Sequence, residues 1–125
     1  MRTWSVVIGW LLAATSALAH HSNSAFDPET VVVLKGTVTQ WKWTNPHVWI
    51  FLSVDDGKGG KTEWQIEGRP PGVLARSGWG KNTLKPGDVI TVDFSPARDG
   101  SPSGLTTRVT LADGTVLSQV TPTGE

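Results

Sequence analysis

Three histidines, His20, His21 and His47, are the residues of this chain best suited to chemistry. Two are adjacent near the start, and the third lies in the stretch Trp41–Phe51, W-K-W-T-N-P-H-V-W-I-F. What precedes His20 reads as a secretory signal: Arg2, an apolar run from Trp4 to Ala14, and an A-x-A site at Ala17-Leu18-Ala19. Cleavage after Ala19 would free the α-amine of His20. That amine and the His20 imidazole can chelate one metal ion, and His47 or His21 can add a third nitrogen. A planar set of amine and imidazole nitrogens suits Cu(II), which also stands highest in the divalent affinity order; zinc and nickel come second. Protons compete for the same nitrogens, so affinity should fall in acid.

This arrangement is similar to the histidine brace of copper-binding exported proteins. It depends on the cleavage position: a leading Ala19 would abolish it, and a start at His21 would change it. The third-position His of the usual amino-terminal copper motif is absent, since Ser22 stands there. The alternative is that His20 and His21 are a solvated start and that His47 is a turn residue bonded to backbone.

The second candidate is the aromatic stretch itself. It holds Trp41, Trp43 and Trp49, three of the seven Trp. Pro46 fixes its own φ and keeps Asn45 out of the helical region, while Thr44 and Asn45 favour a turn. The flanks suit strands, so a hairpin-like connection is expected. Trp41, Trp43, Asn45 and Trp49 are candidate ligand-binding residues, with the rings as a stacking platform. The alternative is that the rings are core. Strand register decides which face Trp41 and Trp43 occupy, and a bulge would reverse it.

The elements that position these residues are mainly strands. Val31–Trp43 is the first, with Gly36 marking a bulge or bend. His47–Asp55 is the second, with Val48, Ile50, Leu52 and Val54 on one face and His47, Trp49 and Phe51 on the other. Thr62–Gly68 alternates Trp64 and Ile66 inward against Glu63, Gln65 and Glu67, read as its wet side. Helical turns within Gly72–Trp79, a strand at Val89–Ser95, a loop at Pro96–Gly104, and a hairpin of Leu105–Ala112 with Thr115–Gln119 across Asp113-Gly114 complete the order. That order predicts an all-β fold: a small, partly open OB-like barrel of five to six strands, with one short helix between strands three and four. A β-sandwich is the alternative, but its seven strands are hard to find. In an OB barrel, ligands meet strands two and three and the loops at Trp43–His47 and Pro96–Gly104.

The domain plan is a cleaved signal over 1–19, one β domain over 20–119 and a disordered tail over 120–125. Export makes the protein periplasmic, and no second apolar stretch predicts a membrane span after cleavage. The chain has 11 basic and 11 acidic residues and no Cys. That balance argues against nucleic acid as a partner, and the absence of Cys excludes disulfides and thiolate metal sites. The Ser residues lack a nucleophile-elbow sequence, so a binding protein is favoured over an enzyme. The readings carried forward are a Cu(II) protein and, as the alternative, an OB-like module for a small periplasmic ligand or a partner protein. A structural or assembly subunit is a third.

The H-H-S…F-D start, L-K-G-T-V, W-T-N-P-H-V-W-I, G-W-G-K-N-T-L-K-P-G-D and L-A-D-G-T-V-L together resemble a family of small exported bacterial proteins known as a domain of unknown function. The resemblance implies export and a single small β domain. It carries over no functional residues.

Overall fold

Alternation of apolar and polar residues builds most of this molecule. In the second strand Ile50 and Leu52 are fully buried while Trp49, Phe51 and Ser53 are only half-covered. That is the period of a strand with one face in the core. The structure is a computed structural model that describes residues 25–119. The signal over 1–19, His20, His21 and the tail over 120–125 lie outside the described residues.

The elements are β1 (Val32–Lys42), β2 (Trp49–Asp55), β3 (Lys61–Glu67), α1 (Pro71–Ala75), β4 (Val89–Pro96), β5 (Ser103–Thr110) and β6 (Val116–Ser118). Neighbours run β3-β2-β1-β4-β5-β6, and a further parallel pairing of β3 with β5 closes a five-stranded barrel. The short helix falls between β3 and β4, so the expected OB-like architecture is present. β6 adds to the second half of β5. Leu74 from α1 and Trp79 from the turn after it join the core with Val38, Val48, Ile50, Leu52, Ile66, Leu84, Ile90, Val92, Phe94 and Val109.

β1 serves both halves of the barrel. Its first half pairs with β4 and its second with β2, meeting at Thr37. Gly36 lies at this crossover without being the bulge: the register shift falls between Val38 and Gln40. A Cβ on Gly36 would lie 2.6 Å from the Ser53 carbonyl and 2.9 Å from Leu52 and Val54 side-chain carbons. The glycine is therefore a close approach of β1 to β2.

Phe26 is buried where the described chain begins, in an isolated antiparallel bridge to Ala97. The turn behind it is held by Asp27, which accepts from the Thr30 hydroxyl at 2.6 Å and the Glu29 N–H at 3.0 Å. These bonds, the Thr30 hydroxyl first, keep the Asp27 carboxyl below the usual carboxylate range. Among the described residues, no helix is long and apolar enough to cross a membrane.

Candidate functional site

The β1–β2 connection, residues 43–48, forms one end of the barrel. Its flanks are pinned by Trp49 opposite Lys42 and by Ile50 opposite Trp41. Val48 exchanges hydrogen bonds with the chain leaving β3: its N–H donates to the Arg69 carbonyl at 3.3 Å, and its carbonyl accepts the Gly68 N–H at 2.9 Å. The Asn45–Pro46 peptide is cis, and Asn45 and Pro46 are exposed at the tip.

Two groups of side chains gather here. The first is aromatic. Trp41 lies between Trp43 and Trp79, with ring centroids 5.7 and 5.9 Å away and planes tilted by 48° and 36°. The Trp41 indole N–H donates to the Gly80 carbonyl at 3.0 Å, and that of Trp79 donates to the Ser118 carbonyl at 3.2 Å. Trp79 is buried, and Trp41, Trp43 and Trp49 are half-buried. These tilts lie between offset stacking and edge-to-face contact, and the centroid spacings are those of interacting aromatic pairs. Trp41 is thus committed to the fold through two aromatic neighbours and its N–H. Trp41→Phe removes the bond and leaves the Gly80 carbonyl without that donor. It should lower stability by about 1 kcal/mol in denaturant unfolding, with the m-value unchanged. No measurable loss would show that the bond contributes nothing net.

The second group is polar. His47 Nδ1 lies against Glu67 Oε1, a contact that is an ion pair only when the imidazole is protonated. Glu67 is the last residue of β3, opposite Trp49 on one side and Leu105 on the other. Its side chain is only 11% exposed, whereas that of His47 is 33% exposed. Glu67 is therefore not the wet side of its strand, although alternation puts it with the exposed Glu63. The strand end is covered on both flanks, and a carboxylate leaving water requires a partner. Nearby, the buried Gln119 accepts the Arg69 N–H on its Oε1 at 3.0 Å. Its Nε2 has no partner among the described residues.

Of the expected site residues, Trp41, Trp43 and Trp49 are brought to one barrel end with His47, and Asn45 sits on the exposed tip between them. His20 and His21 lie outside the described residues. Glu67 and Trp79 were not foreseen as members of the site. Nothing local to either residue signals the contact, because the His47–Glu67 and Trp41–Trp79 pairs join distant parts of the chain. Among the described residues, no three metal-ligating side chains come together, so a metal at His47 would draw its other nitrogens from elsewhere.

The arrangement can therefore offer one half-exposed imidazole, anchored through one nitrogen, beside an aromatic surface. No curated protein matches the chain. The W-T-N-P-H-V-W-I segment that builds this barrel end lies within residues 9–107, which match the model of a family of unknown function, DUF6152, and the chain belongs to that family.

Proposed function

We propose that this is an exported, periplasmic Cu(II)-binding protein whose mature amino terminus and His47 share one metal ion. The supporting observation is the placement of His47 relative to the point where the described chain begins. The Ala25 carbonyl accepts the Arg98 N–H at 2.9 Å, and Phe26 bridges Ala97. The Ala97 N–H in turn donates to the Ser103 carbonyl at 3.1 Å, and Ser103 pairs with Gln65, two residues before Glu67. Three strand spacings and two residues along β3 add up to about 21 Å from Phe26 to Glu67, an upper limit on their separation. The six residue steps from His20 to Phe26 can span about 20–22 Å when extended. An extended segment would match that upper limit to Glu67, against which His47 lies, and this supports a site shared by the His20 amine and imidazole with the His47 ring; His21 can supply a further nitrogen.

Purified mature protein beginning at His20 should bind one Cu(II) tightly, with a nitrogen-rich tetragonal electron paramagnetic resonance spectrum. His47→Ala should reduce that affinity by about tenfold or more, the loss of one strong ligand, since a factor of ten is about 1.4 kcal/mol. Equal affinity in the two proteins would remove His47 from the site.

A second reading is an OB-like module that binds a small periplasmic ligand or a partner protein through Trp43, Trp49 and Asn45. It is supported by the half-exposure of Trp43 and Trp49 beside the exposed tip. Trp41 has a supporting part there, since its ring packs against Trp43 and Trp79. If a neutral quencher fails to reach the fluorescence of Trp43 and Trp49 in the folded protein, this reading fails.

A further inference from the structure

Glu67 is a nearly buried carboxylate whose Oε1 meets His47 Nδ1. Its backbone is fixed on both sides, by Trp49 in β2 and by Leu105 in β5. The carboxylate is thus held by the barrel frame, while His47 belongs to the loop that leads into β2. In such a pair the better-anchored group orients the freer one.

We propose that Glu67 is a positioning residue for His47, fixing the imidazole proton on Nδ1 so that Nε2 is the atom offered to a ligand. A carboxylate accepts and cannot donate, so the ring nitrogen facing it must carry the proton. The other nitrogen of a neutral ring then holds the lone pair. Free histidine favours the opposite tautomer, with the proton on Nε2, so the pairing reverses the ring's own preference. It also limits ring rotation, which favours a metal bond at Nε2. The tautomer assignment stands on the His47–Glu67 contact alone; the consequence for metal rests on the copper reading given above.

The test uses mature protein with labelled imidazole nitrogens, at a pH where the His47 ring is neutral, in wild type, Glu67→Gln and Glu67→Ala. Wild type should show Nδ1 protonated and Nε2 bare. Glu67→Gln keeps the shape and an accepting oxygen, and should largely retain that pattern. Glu67→Ala should shift His47 towards the Nε2-protonated form and lower Cu(II) affinity by about 10–100-fold. Amide spectra of the two variants report whether each is folded, and the wild-type tautomer alone decides the assignment if Glu67→Ala is not. A wild-type ring protonated on Nε2 would overturn the proposal, as would an unchanged tautomer in folded Glu67→Ala. The expected tautomers with no Cu(II) binding in any protein would support the positioning role and overturn the metal reading.

Discussion

Phe94→Ala should cost about 3–5 kcal/mol of stability, the range for truncating a fully buried aromatic residue. Phe94 has no exposed surface, and it is among the largest fully buried side chains. Its ring meets Trp64 with centroids 5.4 Å apart and planes tilted by 55°. It also covers Gly104, which pairs with Ile66 across the parallel β3–β5 seam. The ring therefore fills the point where the barrel closes. Truncation leaves a cavity there, and a barrel relaxes into such a space only partly because its strands are tied on both sides. At about 4–8 °C per kcal/mol for a domain of this size, even the low end lowers the melting temperature by more than about 10 °C. Urea unfolding checks the same quantity. A loss below about 1 kcal/mol would mean that the seam does not depend on this ring.

The strand pattern that builds this core was readable in the chain. Val48, Ile50, Leu52 and Val54 alternate strictly, and all four are buried. Such periodicity is local, so it survives in the sequence. Breaks in the pattern were harder to place. Gly36 is a position where a side chain would strike Ser53 and Leu52, while the irregularity sits near Thr39. The two roles, bulge and close approach, both select glycine, and only the partner strand tells them apart. The closure of β3 on β5 is similar in kind. It joins two strands separated by α1 and β4, and no residue between them announces the pairing.

The site divides along the same line. The turn at Thr44-Asn45-Pro46 follows from local chemistry, and so does the gathering of Trp41, Trp43 and Trp49 around it. Whether those rings face in or out depended on register. The bulge at Thr39 and the Gly80 carbonyl decide it for Trp41, whose N–H bond reaches across 39 residues. Glu67 shows the limit most plainly. Alternation alone makes it a twin of Glu63, yet Glu63 is exposed and Glu67 is not. Burial at a strand end is set by what crosses it, here Leu105 on one side and Trp49 with His47 on the other. A pairing of imidazole with carboxylate across 20 positions is a property of the closed barrel.

Gly104→Ala should destabilise the protein by about 1–3 kcal/mol, the usual cost of forcing a carbon into a packed core. Added to Gly104, a Cβ would overlap the Phe94 ring at Cδ2 and lie 2.7 Å from the Ser95 carbonyl oxygen. The ring can turn aside at some cost, but the carbonyl belongs to β4 and is held opposite Leu105 in the ladder. The strain should therefore spread β4 from β5 and β5 from β3. Hydrogen exchange at Gln65 provides the local readout, because its N–H donates to the Pro102 carbonyl at 3.1 Å across that gap. Its protection should fall more than that of Leu52, which lies in β2 between β1 and β3. Phe94 and Gly104 are in contact, so their effects should not add. In Phe94→Ala the ring is gone, and introducing Gly104→Ala should cost less by about 1 kcal/mol while the clash with Ser95 persists. Strict additivity in that double-mutant cycle would show that the ring and the glycine are independent. A coupling of the expected sign would mean that one aromatic–glycine contact holds the seam, and with it the end of β3 that presents Glu67 to His47.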